Sequence, residues 1–251
     1  MDIAVTDSGM GGLFVVKKLL ERTRAGKILY LSDNAHAPYG ALSERSLKRY
    51  VRGNCARLIA SGAKTIVLAC NTATAVCIDE LRFEFSDIEF VGTEPAIKPA
   101  AARYDKLTVL ATPLTLAQPR FAALLKASGA KVNTPDCSRL AHLVEYGLPD
   151  LKRAKAEAER ILSAYPRADL GAVVIGCTHY SYLAEFISKR FCCPVFDGAD
   201  GVTSRIARTC TLHGAPHVDL ILTDPSEEGR YREILPQLLP GGIFFDVRAF
   251  D

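Results

Sequence analysis

Two cysteines occur in the same local context. Val67-Leu68-Ala69-Cys70-Asn71-Thr72 and Val174-Ile175-Gly176-Cys177-Thr178-His179 each read as an apolar run that delivers a thiol and then a hydroxyl residue. Asp7 precedes Cys70, and Thr112 precedes Cys177, by nearly equal lengths of chain, and each of the two ends its own apolar run. A cysteine taken alone is commonly a small buried hydrophobe, and Cys55, Cys77, Cys137, Cys192, Cys193 and Cys210 are read that way. The repeated context singles out the other two. A free thiol titrates at roughly 8.5, lower beside a cation or a helix N-terminus, so it can donate or accept a proton near neutrality. Two thiols on opposite sides of one tetrahedral carbon could remove a proton from one face and return another to the opposite face, which inverts the centre. No metal is required by that logic. Charge developing on the carbon needs preorganised donors. The backbone amides after each cysteine, with Asp7, Ser8, Asn71, Thr72, Thr178 and His179, could hold a small zwitterion.

Such a pair must be positioned by strands. Short β-branched runs alternate with segments of helical period, the pattern of βα units feeding a mainly parallel sheet. Strands are predicted at Ile3–Val5, Ile28–Leu31, Thr65–Ala69, Ile88–Val91, Leu107–Ala111 and Ala172–Ile175, with a last one at Ile243–Val247. Helical spacing appears in Leu13, Val16 and Leu20, in Leu47, Tyr50, Val51 and Leu58, and in Leu151, Ala154, Ala158, Ile161 and Leu162. Asp224, Pro225 and Glu227 read as an N-cap, a first-turn proline and a capping-box acid before a terminal helix. The internal echo predicts two similar α/β lobes. Ligands bind at the C-terminal ends of parallel strands, so both thiols belong on binding edges that face each other across a cleft.

Composition narrows the function classes. The chain has 251 residues, 49% hydrophobic and 24% charged, with no tract that would resist folding. A formal charge of +3 with scattered basic residues argues against nucleic-acid binding. No apolar run approaches a membrane span, and Asp2 and Asp7 do not suit a signal peptide. The expected compartment is the cytoplasm, where eight cysteines are free thiols.

Three motifs in order, Asp7-Ser8-Gly9-Met10-Gly11-Gly12-Leu13, Cys70-Asn71-Thr72-Ala73 and Gly176-Cys177-Thr178-His179, resemble those of the glutamate racemases. Pro38-Tyr39-Gly40, the stretch 92–101, and Glu145 ahead of Gly147 extend the resemblance over roughly residues 1 to 210. The resemblance implies an enzyme of two similar three-layer α/β lobes with mainly parallel sheets, related by a pseudo-twofold, with its active site in the cleft between them. It implies cofactor-independent interconversion of L-glutamate and D-glutamate for peptidoglycan, with no metal and no pyridoxal phosphate. Cys70 would take the proton from D-glutamate and Cys177 from L-glutamate, with Asp7 assisting the first thiol, His179 the second, and Glu145 supporting His179. Ser8, Pro38, Tyr39, Gly40, Asn71, Thr72, Thr112, Thr115 and Thr178 would hold the substrate. The chain departs from the family pattern at Pro113-Leu114, where a glycine usually precedes the second threonine, and at Ser138 and His142, where many members carry prolines. The first lobe would comprise residues 1–94 and 208–251 and the second residues 95–207. A homodimer is compatible with the resemblance, and no activator-binding extension is expected before Ile3.

Other readings stay open. Gly9, Gly11 and Gly12 after a strand, with Asp33 ending the next, suggest a nicotinamide dinucleotide site, although Phe14 holds the sixth position of the fingerprint. Cys210, His213 and His217 have zinc-like spacing without a second cysteine pair. Aspartate or another amino acid could be the racemised substrate, and a two-lobed binding module would clamp an amino acid without turning it over.

Overall fold

The computed structural model describes residues 3–23, 26–210, 214–239, 241 and 243–249. Among the described residues ten strands form two sheets, and every strand pair is parallel. The first sheet contains β1 (Ile3–Asp7), β2 (Lys27–Ser32), β3 (Thr65–Leu68), β4 (Glu89–Gly92), β9 (His217–Leu222) and β10 (Phe244–Ala249), in the order β10-β9-β2-β1-β3-β4. The second contains β5 (Lys106–Ala111), β6 (Lys131–Asn133), β7 (Ala172–Gly176) and β8 (Val195–Asp197), in the order β6-β5-β7-β8. The order β2-β1-β3-β4 is therefore repeated as β6-β5-β7-β8. The sequence echo is a repeat of topology, and the returning tail adds two strands beyond β2.

The helices are α1 (Leu13–Thr23), α2 (Glu44–Ala60), α3 (Asn71–Glu84), α4 (Ile97–Ala101), α5 (Pro113–Leu116), α6 (Pro119–Ser128), α7 (Leu140–Glu145), α8 (Lys152–Ser163), α9 (Arg167–Leu170), α10 (Ala184–Phe191), α11 (Ala199–Thr209) and α12 (Glu228–Leu238). Strands β1, β3 and β7 are buried along their whole length, as parallel strands covered on both faces must be. Alternate residues of one strand enter different cores. Ile3 and Val5 join a cluster that reaches Leu110 and Ile175 of the second sheet and Val144 of α7, whereas Ala4 packs with Leu47, Val51 and Leu58 of α2. One apolar core thus runs from lobe to lobe, and α11 packs on α1 across the junction. Rigid strands and a shared core fix where the strand ends point.

The tail departs from its predicted local structure. Asp224 accepts from the Ser226 amide at 2.9 Å and caps a 3-10 turn, Pro225–Glu227, rather than a capping box. Its own amide is satisfied by Asn34 Oδ1, and Glu227 turns instead to Arg230.

Candidate active site

In each sheet the chain steps from the first strand to one side and then crosses back to the other. The connections therefore diverge between β1 and β3, and again between β5 and β7, which opens a crevice at the strand ends. Asp7 and Cys70 end the first pair, and Thr112 and Cys177 end the second.

Cys70 is the N-cap of α3, and its Sγ accepts from the Ala73 amide at 3.5 Å. Burial and then the nearby Asp7 push its thiol well up, against the Ala73 and Thr72 amides, so the protonated form is favoured in the closed site. Asp7 is itself buried. Its Oδ1 accepts from the Ser8 amide at 2.6 Å and the Ser8 hydroxyl at 3.0 Å, and its Oδ2 accepts from Thr178 Oγ1 of the other lobe at 3.0 Å. Burial raises the Asp7 pKa although His179, Thr178 and Ser8 oppose it.

Cys177 precedes a 3-10 stretch, Thr178–Leu183, with its backbone extended. Its Sγ lies 3.7 Å from His179 Nδ1, and His179 Nε2 lies 2.6 Å from Glu145 Oε2. Burial works against a charged His179, but its bonds to Cys177 and Glu145 outweigh that and raise its pKa well above the ordinary value. Burial likewise opposes Glu145 ionisation, and His179 with the Met10 amide, at 2.9 Å, overcomes it and lowers the pKa. An imidazolium held this way is placed to steady negative charge on the adjacent sulfur.

The predicted substrate residues fall into two groups. Thr72 Oγ1 of the first lobe lies 3.0 Å from both Thr112 Oγ1 and Thr115 Oγ1 of the second, and those two are 2.9 Å apart. Pro113 occupies the first position of α5, where no N–H is needed, while Thr112 caps the helix. Gly40 packs so close that an added Cβ would lie 2.8 Å from Thr112. The other group is tied into the scaffold. Tyr39, next to Pro38, donates its hydroxyl to Asp33 at 2.6 Å, and Asn71 donates its side-chain amide to the Thr93 carbonyl at 3.2 Å. Cys70 and Cys177 are 6% and 7% exposed, and the Thr178 to Asp7 bond joins the two lobes beside them. A larger cavity of about 910 Å³ opens elsewhere, along β4, β8 and α11, and contains neither sulfur.

The second lobe fills the glycine-rich turn at Gly9 and Gly11, and the first lobe's own Asp7 closes it at Gly12. A Cβ on Gly9 would lie 2.5 Å from Glu145, one on Gly11 2.5 Å from Thr178, and one on Gly12 2.5 Å from Asp7. Asp33 is committed to Tyr39, His36 and Thr223. These glycines let two lobes approach, and a pyrophosphate would find the space occupied. Of the zinc-like trio, His213 lies outside the described residues, Cys210 sits beside Thr65 and Thr209, and His217 engages Asp219 at 2.8 Å and Asp246 at 3.2 Å. Sequence reasoning missed three supports. Tyr30 donates to the Gly9 carbonyl at 2.5 Å, Tyr182 donates to the Met10 carbonyl at 3.0 Å, and Arg230 of α12 donates to the Glu145 carbonyl. Only the aromatic and basic residue types hinted at them.

Two lobes of parallel strands, each with a thiol at its crevice, define a two-lobed α/β class of protein. The model of the Asp/Glu/hydantoin racemase family matches residues 10–206, and the chain belongs to that family. A glutamate racemase of Pseudomonas paraeruginosa is 42% identical over 195 residues, 74% of this chain and 72% of its own length. One of Clostridium acetobutylicum is 31% identical over 235 residues, 92% of this chain and 90% of its own length. The crystal structure of glutamate racemase from Thermus thermophilus, in complex with β-chloro-D-alanine, superposes with a TM-score of 0.80 at 29% identity, covering 100% of this chain and 96% of that one. Among the described residues no helix is long and apolar enough to cross a membrane.

Proposed function

We propose that this chain interconverts L-glutamate and D-glutamate by moving the α-proton between Cys70 and Cys177, with no added cofactor. The observation that carries the reading is the equivalence of the two thiols, which follow β3 and β7 at matching places in the repeated orders β2-β1-β3-β4 and β6-β5-β7-β8. With L-glutamate bound, the Cys177 thiolate takes the α-proton and becomes a thiol. The electron pair left on the α-carbon takes the Cys70 proton on the opposite face, leaving Cys70 as thiolate and D-glutamate as product. The reverse reaction runs the same steps backward. Asp7 assists at Cys70, and His179, supported by Glu145, assists at Cys177. The favoured thiol form of Cys70 and the imidazolium beside Cys177 suit the L-glutamate direction as the resting state.

On this reading Ser8, Asn71, Thr72, Thr112, Thr115 and Thr178, with the backbone around Pro38, Tyr39 and Gly40, exchange bonds among themselves for bonds to the substrate's carboxylates and ammonium. The threonine triad supports this, since its three hydroxyls meet only because the lobes are closed. Residues 1–94 with 208–251 form one lobe and residues 95–207 the other. The enzyme works in the cytoplasm and supplies D-glutamate for peptidoglycan. The test is incubation of the purified protein with L-glutamate in deuterated water without cofactor. α-Deuterium should enter the D-enantiomer while optical rotation falls to zero. Aspartate turned over faster than glutamate would reassign the substrate, and exchange with neither would leave a binding module.

A further inference from the structure

The helix that carries Glu145 inward also has an outer face. Arg139, His142, Leu143 and Tyr146 follow at spacings of three and four around α7 and its caps, so they share one side of it. With Ser138, Gly147 and Arg153 they line a cavity of about 420 Å³. No carboxylate contributes to that wall. Among the described residues neither Arg139 nor Arg153 has an ion-pair partner. The neighbouring acids have closer partners: Asp136 accepts from the Ser138 amide at 2.9 Å, Asp150 lies 3.4 Å from Lys152, and Glu157 pairs with Arg160 at 2.9 Å and attracts Arg139 only from beyond ion-pair distance.

We infer that this cavity is a binding site for a small phosphate-bearing molecule. Two guanidinium groups border one space whose wall holds no carboxylate, so an anion that enters can be shared between them. A carboxylate would bring one charge and two oxygens, enough for a single bidentate guanidinium. A phosphate monoester brings nearly two charges and three acceptor oxygens, enough for both arginines and His142 at once. The volume exceeds what a bare phosphate fills and lies in the range of small-molecule sites. The rings of His142 and Tyr146, with centroids 4.6 Å apart, and the Leu143 side chain offer an apolar wall for the organic part.

The site lies on the reverse of the Glu145 helix. The Tyr146 ring that borders it also lies under the Arg230 guanidinium, 5.3 Å from the ring centroid, and Arg230 holds the Glu145 carbonyl. The site itself does not depend on which amino acid is racemised.

Calorimetric titration of the purified chain with inorganic phosphate, at constant ionic strength in chloride, tests it, with succinate as the carboxylate control. One saturable phosphate site is expected, weakened at least tenfold in Arg139→Ser and in Arg153→Ser, with succinate binding more weakly to wild type than phosphate. Both arginines are exposed and outside the catalytic constellation, so the variants should racemise normally, which certifies their fold. The absence of saturable phosphate binding to wild type, or equal affinity in both variants, overturns the site. Succinate binding as tightly as phosphate, and lost with the same arginines, overturns the phosphate assignment.

Discussion

Glu145 Oε2 lies 2.6 Å from His179 Nε2, and the far nitrogen of that ring lies 3.7 Å from the Cys177 sulfur, so a carboxylate and an imidazole stand in line behind one thiol. Cys70 faces Asp7 instead, with its sulfur capping α3. The lobes repeat their strands but not their supporting chemistry. That asymmetry sets what each substitution should do.

Replacing either sulfur should stop racemisation. A serine hydroxyl is a far weaker acid and base than a thiol near neutrality, and general acid–base catalysis contributes roughly 10²- to 10⁴-fold. Cys70→Ser and Cys177→Ser should each lose at least about a hundredfold in kcat/KM, measured by circular dichroism with both enantiomers. Turnover within twofold of wild type in either variant would remove that cysteine from the mechanism.

Glu145→Gln keeps the shape of the side chain and removes its charge. The two enantiomers have equal free energy, so kcat/KM must fall by one common factor in both directions, expected to be at least tenfold, or about 1.4 kcal/mol. A role at Cys177 shows instead in how kcat and KM divide that loss with L- and with D-glutamate. An identical division for both substrates would argue that Glu145 is only structural.

The same variant has a stability signature. His179 has a raised folded pKa, so its contribution is complete below its ordinary value of 6.5 and is lost as pH rises through the raised value. Glu145 has a lowered one, so its contribution is complete above its ordinary 4.5 and is lost as pH falls through the depressed value. The gap in unfolding free energy between wild type and Glu145→Gln should be widest between those ordinary values, at roughly 1–3 kcal/mol for a buried pair whose hydrogen bond survives. Urea unfolding across the pH range would show it narrowing at both ends. A pH-independent gap would mean the pair is not charged.

Much of this was legible because the strands that deliver the thiols are wholly apolar and buried, and such runs need no long-range information. Thr65–Leu68 and Ala172–Gly176 declare themselves, and the echo between them carries the lobe topology. Strand β9 escaped notice because His217 and Asp219 interrupt its apolar residues on the face where they meet Asp246. Strands β6 and β8 are three residues each and owe their state to pairing with β5 and β7. The hold of Arg230 on Glu145 links positions far apart in sequence, and nothing local marks it.

Arg230 should therefore act as a positioning residue for Glu145. Its guanidinium donates to the Glu145 carbonyl and pairs with Glu227 at 2.9 Å. Arg230→Ala should cost about 1 kcal/mol in stability, the loss of one hydrogen bond, and lower kcat/KM several-fold. Arg230→Lys should recover part of the activity, because a lysine can still reach a carbonyl as a single donor. An alanine variant as active as wild type would show that α7 holds Glu145 unaided.

Two glycines offer a matched test of lobe approach. A Cβ on Gly11 would lie 2.5 Å from Thr178 Oγ1 and 2.8 Å from His179 Nδ1, whereas one on Gly53, inside α2, would meet nothing within 4 Å. Gly11→Ala must displace the residues that flank Cys177, so it should destabilise the protein by about 1–3 kcal/mol, as overpacking does, and reduce activity out of proportion to that loss. Gly53→Ala relieves the entropy cost of a half-buried glycine inside a helix, where the added methyl meets nothing, and should stabilise by roughly 0.5–1 kcal/mol at unchanged turnover. Denaturant midpoints and initial rates on the two variants settle the matter. If Gly11→Ala behaves like Gly53→Ala, the lobes do not meet as closely in solution as the glycine-rich turn requires, and the opposed placement of the two thiols loses its support.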